Sequence, residues 1–231
     1  MQTIQVIICG AKLAHLTHFF YFSAFFHQSF LIFIYFGASN EPWSLPSTLS
    51  EESYMEIIIP LSDTHGNVIG YEEKMEVHRK GLLHLAFSVL VFNPAGELLL
   101  QKRAAHKYHS PSLWTNTCCG HPYPGEELPA AASRRLTEEM GFSCELTHRF
   151  TFHYTADFSN GLSENEIDSV FFGRHQGAVL PDPEEVAGYR WATLEDIRAE
   201  AGEMPENFTV WFRKILEHLE NGITESLPKS W

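Results

Sequence analysis

The chain has 231 residues, of which 44% are hydrophobic and 19% are charged, and these proportions are typical of a globular protein with a sizeable core. Its 29 Asp and Glu residues outnumber its 16 Lys and Arg residues, so the formal net charge is -13 at pH 7. This balance excludes a broad binding surface for nucleic acid or an anionic membrane, but it permits a small basic pocket around an anionic ligand.

The first 54 residues differ in composition from the rest of the chain. An apolar run rich in Phe covers residues 19–36 and is interrupted by His27 and Gln28, and a Gly-, Pro- and Ser-rich linker follows it. The run is near the lower length limit for a bilayer-spanning helix and has little flanking positive charge. Three interpretations stay open: a membrane anchor, a separate appendage that is not part of the fold, or a segment that is not translated, with Met55 as the start.

The folded domain is predicted to cover residues 55–231 and to begin with a hairpin. The segment EIIIPL, from Glu56, indicates a short strand, and a turn containing Asp63, Gly66 and Asn67 leads to a second short strand. Residues 83–93 then predict a buried strand, and LLLQKRA predicts its antiparallel partner after the turn PAGE.

Helices and strands alternate irregularly in the remaining sequence. Residues 129–139 show the spacing of an amphipathic helix that ends near Gly141, and Thr193 is placed to cap a helix LEDIRAEA. Further strands are predicted at residues 149–155, 167–175 and 188–192, and a final amphipathic helix at residues 208–219. The fold class is therefore α/β of the α+β kind, with a mixed β-sheet flanked by helices and an extra N-terminal hairpin.

One long motif, CCGHPYPGEELPAAASRRLTEEMGF, carries chemistry in its spacing. The positions of Gly120, Glu126, Glu138 and Glu139 resemble the Nudix box, a loop and helix whose glutamates hold a divalent cation against a diphosphate. Carboxylates are hard oxygen ligands suited to Mg²⁺. The hydrolases of that superfamily carry Glu directly after the box Arg, whereas this chain has Arg135, which should weaken a water-activating metal cluster.

A second constellation consists of three histidines and two glutamates. Any one of these histidines is more often a hydrogen-bonded core residue than a metal ligand. Glu164 and Glu166 flank Asn165, and in an extended segment alternate residues project to one face, so both carboxylates can converge on one ion. The set is too large for a tetrahedral zinc site and better suits Mn²⁺ or Mg²⁺, with Zn²⁺ as an alternative. Its members are His78, His84, His121, Glu164 and Glu166.

The four cysteines, Cys9, Cys118, Cys119 and Cys144, lack the density and spacing of a disulfide scaffold, so we expect a reducing, cytoplasmic location for the domain. The alternative is membrane association through the N-terminal extension. Cys119 lies beside Gly120 at the mouth of the box loop, where a thiol could act in proton transfer. Cys118 and Cys144 are interpreted as buried structural residues.

The segments GLLHLAFSVLVFN, LLLQKRA, SLWTNTCCGHP and SENEID and the altered box occur in this order. Together they resemble type 1 isopentenyl diphosphate isomerase of the Nudix superfamily, over residues 55–219. The resemblance implies a Nudix-like fold and the 1,3-allylic isomerisation of isopentenyl diphosphate to dimethylallyl diphosphate in isoprenoid biosynthesis. It also implies a small-molecule substrate and no nucleic-acid or membrane partner for the catalytic domain.

The resemblance further implies roles for individual residues. Cys119 and Glu166 match the catalytic acid–base pair, with Tyr154 hydrogen-bonding near Glu166. The five-residue set matches a tightly held metal site for Mn²⁺ or Zn²⁺, and Glu139 matches the ligand of a Mg²⁺ that bridges to the diphosphate. The positions that match substrate contacts are Lys74, Arg103, Lys107 and Arg135 for the diphosphate and Trp211 for the hydrocarbon.

Two alternatives belong to other functional classes. A Nudix pyrophosphohydrolase would release phosphate or pyrophosphate, and Arg135 argues against it. A non-catalytic binding module would keep the fold, but it has no need of a thiol and a carboxylate placed as an acid–base pair. For Trp211, Arg103 and Lys107, a core position or a solvated loop position is the competing interpretation.

Overall fold

The computed structural model describes residues 57–220 and two short strands nearer the N-terminus. The chain divides into a unit of residues 1–53 and a unit of residues 54–231. In the first unit, Ala24–His27 (β1) and Phe30–Phe33 (β2) pair as antiparallel strands, so this part of the apolar run is extended rather than helical. The predictions for the linker and for Met55 lie outside the described residues. Within the described part of the chain, no helix combines the length and apolar character needed to cross a bilayer.

The predicted N-terminal hairpin is confirmed as Ile58–Ser62 (β3) and Val68–Glu73 (β4). The Asp63 carboxylate closes its turn by accepting the backbone N–H groups of His65 and Asn67 at 2.8 and 2.9 Å. This Asx-type bonding lets a short polar segment reverse the chain direction.

A helix that the sequence analysis did not predict follows directly, Lys74–Lys80 (α1). The Glu73 side chain caps it by accepting the N–H of Glu76 at 2.9 Å, and Gly81 ends it in a left-handed conformation with φ 59°. Lys74 and His78 are four residues apart, so they lie on the same face of this helix.

The central sheet is mixed, as predicted, and in the described part of the chain it contains nine strands. Its main path runs β11-β6-β5-β10-β9, in which β5 and β10 are parallel and the other described neighbours are antiparallel. The strands of this path are His84–Phe92 (β5), Leu98–Arg103 (β6), Leu146–Asp157 (β9), Ser163–Arg174 (β10) and Val186–Ala192 (β11).

The predicted antiparallel pairing of β5 with β6 is confirmed, but its register is described only at Phe92 and Leu98, next to the turn. Away from the turn, β5 and β6 pair with two short strands instead of with each other. Trp114–Thr115 (β7) pairs with β6, and Cys118–Gly120 (β8) pairs with β5. Strand β8 thus enters the sheet where β5 and β6 separate. Its pairing with β5 sets Cys119 opposite Ser88 in the middle of the fold.

Helices cover both faces of the sheet. Leu128–Met140 (α2) buries Ala132, Leu136 and Met140 against one face. Leu194–Glu203 (α3) and Val210–Glu220 (α4) contribute to the core on the other face, and a 3₁₀ turn at Pro205–Asn207, which buries no residue, lies between them in the chain. The predicted cap is present, since Thr193 Oγ1 accepts the N–H of Asp196 at 3.1 Å. The apolar stripe of each helix therefore faces the sheet, as its sequence period predicts.

We expect Gly141→Ala to lower the free energy of unfolding by more than about 2 kcal/mol. Gly141 has φ 72°, a conformation that costs a residue with a Cβ about 1–2 kcal/mol, and the added Cβ would also overlap the backbone carbonyl of Leu180. Gly96→Ala is the matched control, because Gly96 has φ 80° and nothing lies within 4 Å of an added Cβ. Urea unfolding of both variants measures the difference. Equal destabilisation would show that close packing against Leu180 contributes nothing.

Candidate active site

The five predicted metal ligands come together although they lie on different parts of the fold. His78 is on α1, His84 begins β5, His121 follows β8, and Glu164 and Glu166 alternate on β10. One nitrogen or oxygen atom from each lies within 4.8 Å of the corresponding atom of every other. Parallel pairing of β5 with β10 sets Glu166 directly opposite His84.

Backbone carbonyls fix the direction of two of these imidazoles. His78 Nδ1 lies 2.6 Å from the carbonyl oxygen of Lys74, and His84 Nδ1 lies 2.8 Å from that of Leu82. A carbonyl oxygen only accepts, so each Nδ1 carries a hydrogen and each Nε2 is directed into the cluster. Metal-ligating histidines commonly use their second nitrogen in this way.

The Nε2 atoms face the carboxylates at short range. His78 Nε2 lies 3.2 Å from Glu164 Oε2, while His84 Nε2 and His121 Nε2 lie 3.3 and 3.0 Å from Glu166 Oε1. His84 Nε2 also lies 3.2 Å from His121 Nε2. Such convergence of lone pairs and carboxylate charge is unfavourable unless a proton or a cation lies among them.

The chemistry of these atoms fits a divalent cation. His78 Nε2 and Glu164 Oε2 are buried and have no hydrogen-bond partner among the described residues, which is costly unless another group satisfies them. Burial lowers the pKa of His121 to about 3, although Glu166 opposes the shift, so this imidazole is in the neutral form that binds metals. Burial alone would raise the pKa of Glu166, but hydrogen bonds with His121 and His84 hold it well below its ordinary value.

The two adjacent thiols face different environments because β8 alternates its side chains. Cys118 is fully buried in the core beside α2, whereas Cys119 is partly exposed and lines the cavity next to this cluster. Burial raises the pKa of the Cys119 thiol to about 12, and the Arg103 guanidinium acts in the opposite sense. Cys119 therefore carries its proton at neutral pH.

Tyr154 lies opposite Glu166 on the neighbouring strand β9. Its hydroxyl donates to Glu166 Oε2 at 2.7 Å, while Glu166 Oε1 faces the histidines. Burial raises the pKa of Tyr154 well above its ordinary value, so the hydroxyl keeps its hydrogen. The two oxygens of Glu166 thus have different partners, which fixes the plane of the carboxylate.

One cavity of about 660 Å³ joins these groups to a cluster of cations. Arg135 reaches three carboxylates, lying 2.7 Å from Glu138 and 3.2 Å from Glu185 and also bonding Glu139. Lys107 pairs with Glu185 as well. Burial, together with Lys107 and Arg135, lowers the pKa of Lys74, which is the signature of positive charges held close together. The predicted diphosphate contacts that line the cavity are Lys74, Arg103, Lys107 and Arg135.

Glu139 lies on the same cavity but outside the five-residue cluster. It is buried at the end of α2, where it accepts a hydrogen bond from Gln101 Nε2 at 2.8 Å and pairs with Arg135. The predicted Mg²⁺ ligand and the His/Glu cluster are therefore separate groups on one cavity.

Trp211 is both a core residue and a wall of the cavity. The Arg103 guanidinium lies 5.2 Å from the centre of the Trp211 ring, a cation–π distance. Arg103 is buried and donates to the carbonyls of Ser110 and His109, each at 3.2 Å. The interpretation of Arg103 as a solvated loop charge is therefore wrong.

Comparison with known proteins shows the family of the chain. Residues 82–219 match the NUDIX domain family. The chain is 49% identical over 177 residues to isopentenyl-diphosphate Delta-isomerase 2 of Photorhabdus laumondii, covering 77% of this chain and 98% of that protein. It is 50% identical over 163 residues to the isopentenyl-diphosphate Delta-isomerase of Burkholderia multivorans, covering 71% and 93%. The chain belongs to the isopentenyl-diphosphate isomerase family, within the Nudix superfamily.

Solved structures agree with the fold of this family member. A crystal structure of a Deinococcus radiodurans protein superposes with a TM-score of 0.59 over 70% of this chain and 98% of that chain. The two sequences are only 15% identical, so this likeness bears on the fold alone. The predicted Nudix-like fold class is confirmed.

Three residues at the site of this isomerase-family chain were missed by the sequence analysis. His109 lies 3.1 Å from Glu164, Glu185 pairs with two of the cations, and buried Asp168 accepts a hydrogen bond from Ser88 at 2.8 Å. Asp168 could have been found, because it continues the alternation of Glu164 and Glu166 along β10. His109 lies on an irregular loop, where no periodicity indicates the direction of a side chain.

We expect His84→Ala to weaken Mn²⁺ binding by at least about tenfold, because it removes one of the converging imidazoles and leaves Glu166 with fewer partners. The dissociation constant is measured on the full chain after chelation and readdition of Mn²⁺. His148→Ala, at an exposed position on β9, is the control and should bind as wild type does. Unchanged affinity in His84→Ala would make His84 an ordinary core histidine.

Proposed function

We propose that this chain isomerises isopentenyl diphosphate to dimethylallyl diphosphate, with Cys119 and Glu166 as the acid–base pair. The reaction is the one named in its relatives, and the chain covers 98% of one of them. One observation carries the assignment of residues. A protonated thiol, an ionised carboxylate and a cluster of cations line a single cavity, and Trp211 forms part of its wall.

The cationic part of the cavity suits the diphosphate. Four cations from different parts of the fold line this part of the cavity. They are Lys74 on α1, Arg103 on β6, Lys107 in the loop after β6 and Arg135 on α2. Arginine offers paired N–H donors that match phosphate oxygens, and a cavity of limited exposure strengthens each contact. This arrangement explains how an acidic chain can bind an anionic substrate.

The isomerisation needs one proton to be added and another to be removed. Protonation of the terminal methylene carbon gives a tertiary cation, and loss of a proton from the allylic carbon forms the new double bond. The two residues need one proton to share, and the raised pKa of Cys119 and the lowered pKa of Glu166 support a protonated thiol facing an ionised carboxylate. The Tyr154 hydroxyl donates a hydrogen bond to Glu166, and this bond stabilises the ionised carboxylate that removes the proton.

Aromatic walls and exclusion of water protect the positive intermediate. Trp211 and Tyr154 are both buried and both line the cavity. An aromatic face attracts a cation, and a dry cavity prevents water from trapping it. When bound, a Mn²⁺ or Zn²⁺ ion at the His/Glu cluster would supply charge that orients Glu166, and a Mg²⁺ ion at Glu139 would neutralise the diphosphate.

The box helix supports isomerisation rather than hydrolysis. A hydrolase needs several box carboxylates free to hold the metal that activates water. Here Arg135 occupies Glu138 and Glu139, and Arg134 occupies Glu126 through two hydrogen bonds of 2.8 Å. These carboxylates are paired with arginines of the same helix, so they do not form a cluster free to hold several metal ions. A single Mg²⁺ ion at Glu139 would share that carboxylate with Arg135, and Arg135 offers its positive charge to the diphosphate.

We expect Cys119→Ala to abolish isomerisation and Cys118→Ala to retain substantial activity. The reason is that Cys119 lines the cavity, while Cys118 lies in the core and its loss removes only one small buried side chain. Product formation from isopentenyl diphosphate is measured together with the far-ultraviolet circular dichroism of each variant. Equal loss of activity in two folded variants would show that the wrong thiol is assigned.

We expect Arg135→Gln to raise the KM for isopentenyl diphosphate about tenfold to a hundredfold, because a charge-assisted hydrogen bond is worth about 1.5 to 3 kcal/mol. Arg135→Glu adds repulsion and should raise it further, while little phosphate or pyrophosphate is released. Arg198→Glu, on α3 and outside the residues that line the cavity, is the control. Unchanged kinetics in Arg135→Gln would remove Arg135 from the diphosphate site, and efficient hydrolysis by the wild-type chain would overturn the isomerase assignment.

A further inference from the structure

We propose that His109 is a positioning residue for the metal centre, which holds Glu164 in its ligating orientation by a hydrogen bond from outside the ligand set. This inference rests on the metal site of the proposed function. It assigns a role to a loop residue that is not among the five converging ligands.

The two oxygens of Glu164 have different neighbours. Oε2 lies 3.2 Å from His78 Nε2 and 3.9 Å from His84 Nε2, so it faces the centre of the cluster. Oε1 lies 3.1 Å from His109 Nε2. With the hydrogen of His109 on Nε2, this nitrogen donates to Oε1 and leaves Oε2 directed at the ion.

Burial makes this contact selective for one rotamer of Glu164. His109 is 6% exposed and Glu164 is 3% exposed, so water does not readily replace either partner. Glu164 Oε2 has no hydrogen-bond partner among the described residues, and His109 therefore supplies the main polar contact on the other side of the carboxylate. A long side chain held in one rotamer before the ion arrives loses less entropy on binding.

The His109 ring is itself held by packing. It stacks on Phe158 with 5.0 Å between ring centres and 11° between planes, and its ring centre lies 5.6 Å from that of Trp211 at a right angle. The backbone carbonyl of His109 accepts a hydrogen bond from Arg103, and Asn160 donates to the carbonyl of Tyr108 at 2.9 Å. An irregular loop thus presents an imidazole in a fixed direction.

The second ligating carboxylate has the same arrangement. Glu166 directs Oε1 at the cluster, and its Oε2 accepts from Tyr154 at 2.7 Å. Each carboxylate therefore has one oxygen toward the ion and one toward a donor outside the ligand set, Tyr154 for Glu166 and His109 for Glu164. Such outer donors orient metal ligands, and their removal typically costs about 10- to 100-fold in metal affinity.

The test is Mn²⁺ binding by the full-length chain, stripped of metal by chelation and titrated with Mn²⁺ alone. Free Mn²⁺ is read from its electron paramagnetic resonance signal. His109→Phe keeps an aromatic ring against Phe158 but has no donor, and we expect its dissociation constant to rise about 10- to 100-fold. His109→Gln places an N–H donor near the former Nε2 and should bind Mn²⁺ close to wild type.

His106→Phe is the matched control, because it makes the same substitution in the same loop at a side chain that is 62% exposed, and its affinity should not change. Circular dichroism checks the fold, and His109→Leu, which also lacks a donor, carries the same expectation where His109→Phe does not fold. Wild-type affinity in a folded donor-free variant overturns the inference, as does a His109→Gln protein as weak as His109→Phe. Absence of Mn²⁺ binding by the wild type would overturn the metal site itself. Isomerase activity of the wild type is measured separately, so that failure of the proposed function is distinguished from failure of this inference.

Discussion

The parallel pairing of β5 with β10 is the constraint on which the site depends. This pairing sets Glu166 against His84, and the alternation of β10 brings Glu164 to the same face. Both strands are largely buried, and a shift of one residue would turn the carboxylates away from the histidines and force charges into the apolar core. The hydrophobic pattern of the two strands therefore also fixes the chemistry of the site.

The separation of β5 from β6 decides where the two adjacent thiols lie. Because the described register of these strands is limited to Phe92 and Leu98, β8 can pair with β5 at residues 87–89. A strand in that position has one face toward the core of α2 and the other toward the cavity. Cys118 and Cys119 are consequently adjacent in sequence but different in environment, since Cys118 packs in the core and Cys119 lines the cavity. A fully paired hairpin of β5 and β6 would leave no room for the thiol.

The sequence predicted what depends on local periodicity and turn chemistry. The Asp63 turn, the helix that ends at Gly141, the Thr193 cap and the convergence of Glu164 with Glu166 follow from residues within a few positions of one another. Helix α1 was missed because it has only seven residues and begins directly after a strand, where Glu73 serves as its cap.

Contacts between distant segments escaped prediction for a different reason. His109 reaches Glu164 across 55 positions, from a loop in which Ser110 and Ser112 have positive φ values of 47° and 61°. A loop of this kind has no repeating pattern, so the direction of its side chains follows from packing against Phe158 and Trp211. Register between β5 and β10 is likewise set by the whole sheet.

The carboxylates around the cationic cavity show how a Nudix helix can serve a reaction without hydrolysis. Positive charges held close together repel one another, and burial adds to that cost. Glu138, Glu139 and Glu185 compensate this repulsion by pairing with Arg135, and Glu185 also pairs with Lys107. A diphosphate that enters the cavity offers the same cations a denser negative charge, so the helix can bind the substrate through its arginine. In the proposed function, Arg135 stands where a Nudix hydrolase would carry a carboxylate, so the helix would present a cation to the diphosphate while Cys119 and Glu166 act on the hydrocarbon end of the substrate.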